Sequence, residues 1–162
     1  MKKILKEWVS YFLIILAILL IRLFIITPVR VDGPSMKPTL ENKQILLLSK
    51  YSKRYERFDI VVFNYAKQKL VKRIIGLPGE KIEFKNNKLY INNKEIEEDF
   101  GHMETEDFSL SDIGYETIPD NMYFLVGDNR TNSLDSRYIG LVSDSDIEGV
   151  VHFSIWPLKK IK

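Results

Sequence analysis

The chain has 162 residues and a formal net charge of +2, enough for one domain with a modest core and too little positive charge for a nucleic-acid surface. Lys2, Lys3, Lys6 and Glu7 account for that charge by themselves, so the remainder balances to zero. Cysteine is absent, which excludes disulfides, a thiol nucleophile and zinc-thiolate sites, and no Gly-rich loop beside a Walker-type lysine points to a nucleotide.

The first predicted element is an apolar run. Trp8 to Ile21 carries no charge, and after Arg22 the run resumes with Leu23, Phe24, Ile25 and Ile26. As a helix, residues 9–26 would rise about 27 Å, close to the roughly 30 Å of a bilayer's hydrocarbon core. This predicts a transmembrane anchor over 8–26, with Trp8 and Tyr11 at one interface, Arg22 snorkelling to headgroups, and Thr27-Pro28 as the stop. A cleavable leader shares the basic start and apolar core, but the residues after this core lack the small side chains that cleavage needs. Lys2, Lys3 and Lys6 precede the run, while only Arg30 and Lys37 closely follow it. The positive-inside rule therefore leaves 1–7 in the cytoplasm and puts 27–162 outside the cytoplasmic membrane, after a single pass.

Beyond the anchor, the runs 45–48, 59–63, 70–75, 81–84, 89–91, 122–126 and 150–155 have strand length and strand composition. Asn86-Asn87 and Asn92-Asn93 read as turns of a small meander. The outer domain is thus expected to be mostly β, without a second helix of ordinary length. Residues 95–120 hold ten acids and no Lys or Arg, the composition of an exposed, mobile excursion rather than a core element. Their spacing matches no calcium loop. His102 and His152 are far apart, and His152 reads as a strand residue without catalytic duty, so neither metal nor cofactor is expected.

Two residues are set for chemistry. Ser35 lies in the sequence Gly33-Pro34-Ser35-Met36-Lys37-Pro38, where two prolines stiffen the backbone. A serine hydroxyl needs a base, and lysine serves only if burial keeps its amine neutral. Lys72 shares a strand face with Leu70 and Ile74, which supplies apolar neighbours, while Arg73 points the other way. Each signal has a plain alternative: a turn serine that bonds locally, and a lysine whose stem packs while its charge reaches water. A third segment, 127–137, is a polar loop after an apolar strand, where Asp135 and Arg137 can pair across a turn.

Together these segments closely resemble bacterial type I signal peptidase of the small Gram-positive kind. The resemblance rests on Ser35-Met36-Lys37-Pro38-Thr39-Leu40, on 57–63, on 72–80 and on 127–140, spread over nearly the whole outer domain. It implies a β-rich catalytic fold at the outer membrane face and release of exported preproteins by cutting after the signal peptide. Signal peptides and membrane lipid are the implied partners.

By the same resemblance, Ser35 is the nucleophile, Lys72 the general base and Ser133 the hydroxyl that orients the lysine amine. Asp135 and Arg137 match the supporting ion pair, with Asp128 and Asn129 buttressing the site. Val29, Val31, Met36, Leu40, Leu46, Leu70 and Val71 match the lining of shallow pockets for the −1 and −3 side chains, hence an Ala-X-Ala preference. The substrate would add as a strand to 29–31 and 70–72. Gram-negative relatives carry a serine two positions before the nucleophile as a second oxyanion donor; here Gly33 stands there, and the Ser35 amide is the one donor that can be named. Phe58 stands where glycine is usual.

Two other readings compete. Another Ser–Lys protease, such as the self-cleaving repressors, shares the chemistry but is cytoplasmic and carries a DNA-binding part. A non-catalytic anchored β module would leave Ser35 dispensable and the Lys72 amine in solvent.

Overall fold

A computed structural model describes residues 2–24, 26–50, 54–100 and 104–161. The first elements are helix α1, Lys2–Phe24, and strand β1, Ile26–Arg30. The expected helix runs through Ile26 and stops at Thr27-Pro28; α1 ends at Phe24, and Ile26 belongs to β1, where it pairs with Ser49 as Pro28 does with Leu47. The β-branched Ile26, Thr27 and Val29 favour extended backbone. Pro28 is tolerated because β1 ends the sheet, where a missing N–H faces no further strand. Side chains of α1 are placed over residues 6–19 and all are exposed. Among the described residues no helix is long and apolar enough to cross a membrane.

The remaining strands are β2 Ile45–Ser49, β3 Ile60–Tyr65, β4 Gln68–Gly76, β5 Ile82–Lys85, β6 Lys88–Ile91, β7 Lys94–Ile96, β8 Phe108–Ser109, β9 Met122–Val126, β10 Val142–Ser143, β11 Ile147–Trp156 and β12 Lys159–Lys160. A single helical turn, α2 at Ser136–Ile139, precedes β10. The protein is mostly β. One sheet runs in the order β1-β2-β11-β3-β4-β9-β10, with β12 folded back on β11; a smaller one runs β7-β6-β5-β8. All pairings are antiparallel. Asn86-Asn87 joins β5 to β6 and Asn92-Asn93 joins β6 to β7, all four at positive φ, as two-residue hairpin turns of the primed kind require.

The acidic stretch differs from expectation. It contributes β7, β8 and a 3-10 turn at Leu110–Ile113 to the small sheet. Leu110 and Ile118 are fully buried in its core beside Phe84, Leu89 and Phe124, and Ile96, Phe100 and Phe108 pack against them. Charge density hid an alternation: the acids face water while the apolar residues between them face the core. Of the ten acids only Glu98 is turned inward.

Candidate active site

Ser35 rides on a loop fastened at both ends. Its base is closed by Val31 N–H on the Gln44 carbonyl (2.8 Å) and Lys43 N–H on the Val31 carbonyl (2.9 Å). Gly33 bends the chain at φ +94°, a conformation L side chains rarely adopt, and its N–H reaches Asn42 Oδ1 at 3.1 Å. The serine then sits in a tight turn closed by Lys37 N–H on the Pro34 carbonyl (3.0 Å). Met36 and Leu40 anchor the turn by burying completely in the core of the large sheet. Among the described residues the Ser35 amide donates to no acceptor, which leaves it available to an oxyanion.

Lys72 comes from β4, opposite Val61 of β3. Its side chain is buried, and Nζ donates to Ser35 Oγ at 2.8 Å and to the Val71 carbonyl at 3.1 Å. Burial pushes its pKa down to about 8, opposed by the negative charges of Asp135 and Asp128. A lysine in this state yields a substantial neutral fraction near neutral pH, which an exposed lysine does not.

The 127–137 loop closes the third side. Asn129 donates its N–H to the Ser35 carbonyl (3.0 Å) and its Nδ2 to the Pro34 carbonyl (3.2 Å). Asp128 is fully buried and takes Arg73 Nε and Nη2 at 2.9 and 2.8 Å, as well as the Thr39 hydroxyl. Asp135 accepts Gly127 N–H at 3.1 Å, and Arg137 Nε and Nη2 at 2.9 Å each. It also starts α2 by accepting the Arg137 N–H.

Ser133 and the Ser35 carbonyl both lie against Gly127, since a Cβ built there would overlap each of them. The Ser133 hydroxyl is buried and has no hydrogen-bond partner among the described residues, so the bond expected from Ser133 to the Lys72 amine is not formed. The two hydrogen bonds that Lys72 Nζ makes go to Ser35 Oγ and to the Val71 carbonyl.

Val31, Met36, Leu40, Leu46 and Val71 form one cluster, with Val29 packed on it. Leu70 does not join them: it packs with Val61, Phe63 and Ile74 on the opposite side of β4, because neighbouring strand residues point to opposite faces. Two strand edges lie on the elements around Ser35 and Lys72. β1 ends the large sheet, and the Gln68–Lys72 half of β4 pairs with β3 alone, because β9 ends at Val126 opposite Arg73.

Sequence reasoning missed three contributors. Arg73 was noted only for pointing away from Lys72, yet it is fully buried, bidentate to Asp128 and stacked 3.9 Å over Phe100. Phe58 sits at φ +71°, the glycine-like backbone that its position calls for, and its carbonyl accepts Arg73 Nη1 at 2.9 Å. Arg130 is buried against Glu98 of the acidic stretch. A charged residue between apolar strand neighbours, as Arg73 is between Val71 and Ile75, was the available signal. Among the described residues no group of His, Asp or Glu converges as a metal site. His152 is exposed on β11, and His102 lies outside the described residues.

A serine hydroxyl held by a buried amine, with a free backbone amide beside it, is equipped for acyl transfer. Residues 5–156 match the family described as signal peptidase, peptidase S26. The chain belongs to that family. It is 40% identical to signal peptidase I S of Bacillus subtilis, with 99% of this chain and 94% of that protein covered. It is 35% identical to signal peptidase I of Streptococcus pneumoniae serotype 4, covering 99% and 97%. A crystal structure of a signal peptidase I from Enterococcus faecalis superposes with a TM-score of 0.56 at 40% identity, over 60% of this chain and 97% of that one. Family membership makes the chain a hydrolase, a serine endopeptidase that removes signal peptides.

Proposed function

We propose that Ser35 and Lys72 carry out this reaction as nucleophile and general base. The observation that carries the reading is the 2.8 Å contact between Lys72 Nζ and Ser35 Oγ, made by a buried lysine. Neutral Lys72 takes the hydroxyl proton as Ser35 Oγ attacks the scissile carbonyl. The Ser35 amide stabilises the oxyanion, the peptide amine leaves with the proton, and an acyl-enzyme remains. Lys72 then draws a proton from water, which hydrolyses the ester.

Asp128, Asn129, Asp135 and Arg137 act through position. Asn129 holds the Ser35 turn, and Asp135 with Arg137 shapes the loop that packs on it. The signal peptide binds extended between the free edges of β1 and β4, adding backbone hydrogen bonds. The apolar cluster of Val29, Val31 and Val71 beneath it accepts small side chains at −1 and −3 and rejects bulk by overlap.

The same reading anchors the enzyme in the cytoplasmic membrane by α1, with the catalytic domain outside. The 23 residues of α1 rise about 34 Å as a helix, against about 30 Å of hydrocarbon. Its apolar side chains from Trp8 to Leu19 have no protein cover, as lipid contact requires. Exposed Trp156 and Leu158 beside Lys159 and Lys160 support a second lipid contact at the β11–β12 turn. Tethering raises the local concentration of a substrate held in the same bilayer.

The test is cleavage of a preprotein with an Ala-X-Ala site by Ser35→Ala and Lys72→Ala proteins. Loss of at least about 10³-fold is expected in each, and full activity in either removes the dyad. Because the base must be neutral, kcat should rise with pH and level off above about 8.

A further inference from the structure

Arg130, in the loop after β9, forms a buried ion pair with Glu98, in the segment after β7 of the small sheet. Their side chains are 1% and 4% exposed. Arg130 spends its guanidinium on three acceptors. Nη2 and Nη1 reach the two Glu98 carboxylate oxygens at 2.5 and 3.3 Å, Nη1 reaches Thr105 Oγ1 at 2.7 Å, and Nε reaches the Gly127 carbonyl at 3.1 Å. A planar fork held on a carboxylate in a dry site has its orientation set by that carboxylate. Glu98 thus decides where Arg130 Nε points, and so where the Gly127 carbonyl lies.

The consequences converge on the reacting atoms. Gly127 N–H bonds Asp135, and the Arg130 carbonyl accepts Arg137 Nη2 at 2.7 Å. Gly127 and Arg130 therefore bracket a short backbone segment tied at both ends to the Asp135–Arg137 pair. Inside that bracket are Asp128, which holds Arg73, and Asn129, whose N–H holds the Ser35 carbonyl.

We propose that Glu98, through Arg130, is a positioning residue for the catalytic dyad: the acidic stretch serves as a lever that sets the 127–130 segment, and with it the Ser35 turn. This gives the small sheet a part in catalysis without contact to substrate. Substrate binding at the edges of β1 and β4 is untouched by it, so the loss should appear in kcat and not in KM.

The inference rests on the reading of Ser35 and Lys72 as the dyad. Glu98→Gln keeps the side-chain volume and one acceptor but removes the charge; Thr105→Val removes one acceptor of the same guanidinium at nearly equal shape. Both are assayed in the full chain in detergent or vesicles, on an Ala-X-Ala preprotein, at a temperature where circular dichroism shows them folded. Expected are a kcat loss of tenfold or more for Glu98→Gln and about threefold for Thr105→Val, with KM within twofold. The pH midpoint of kcat should also shift in Glu98→Gln, because the Asp135 carboxylate moves relative to the Lys72 amine. Glu97→Gln, an exposed neighbour, should behave as wild type. If both variants keep kcat within twofold and the midpoint stays in place, the positioning role is overturned, even where melting temperature falls. Ser35→Ala, run alongside, separates the failures: an active Ser35→Ala overturns the dyad, an inactive one with an active Glu98→Gln overturns only the lever.

Discussion

The 127–137 loop and the 95–120 stretch are both polar, yet they use charge in opposite ways. The loop turns its charges inward: Asp128, Arg130 and Asp135 are all buried and each is paired. The acidic stretch turns nine of its ten acids to water and buries aliphatic and aromatic side chains instead. A buried charge without a partner is costly, so the loop has one permitted shape, whereas exposed acids leave the backbone to be ordered by Leu110 and Ile118. Stability in the first region depends on pairing, and in the second on apolar area. Glu98 is where they meet.

Breaking the loop's pairing should have the largest effect on stability. Arg73→Met leaves Asp128 buried with the Thr39 hydroxyl but no cation, at a cost of about 3–5 kcal/mol; a urea midpoint close to wild type would contradict the assignment. Gly127→Ala comes next, since its Cβ would overlap Ser133 Oγ and the Ser35 carbonyl. The expected cost is about 1–3 kcal/mol, with preprotein cleavage reduced about 10²-fold through displacement of Ser35.

Lys72→Met sharpens the comparison from the other side, because Lys72 is a buried cation without a bonded carboxylate. The folded pKa lies near 8 and the ordinary value at 10.5. Between those values the unfolded chain binds a proton that the folded protein has released, so stability contributed by this group rises with pH across 8 to 10.5 and is lowest below 8. Replacing the amine should therefore abolish cleavage yet raise stability at pH 6, by about 1–2 kcal/mol after lost hydrogen bonds are counted. Thermal melts at pH 6 and pH 10 check this; a variant equally destabilised at both would refute it. The smallest effect belongs to the exposed acids. Glu116→Gln with Asp120→Asn should change stability by no more than about 0.5 kcal/mol in the same melts.

Much of this was readable in advance for identifiable reasons. Strands β2 to β6, β9 and β11 carry runs of β-branched and aliphatic residues bounded by turn residues, and the paired asparagines marked their hairpins. β1 was not readable, because Ile26, Thr27 and Val29 continue an apolar run whose helical part is longer. Arg73 and Arg130 were missed because their carboxylate partners lie 55 and 32 positions away, beyond any local pattern. Ser133 was placed near the site, but its hydroxyl's partner is a matter of rotamer and packing, which spacing along the chain does not determine.

What the chain's order of residues determined by itself was the class of chemistry and its setting: an apolar run, a rigid serine turn, a lysine within an apolar strand and a polar loop after another. Those are local properties, set by backbone stiffness, alternation and side-chain type. The tertiary structure decided which groups meet. It put Lys72 Nζ at 2.8 Å from Ser35 Oγ across 37 positions, sent Leu70 to the face of β4 opposite the Val71 cluster, and paired Glu98 of an acidic surface with Arg130 in the loop behind Ser35. Contacts of that kind depend on how sheets close over a shared core, where burial excludes water and leaves each charge to find a partner within the fold.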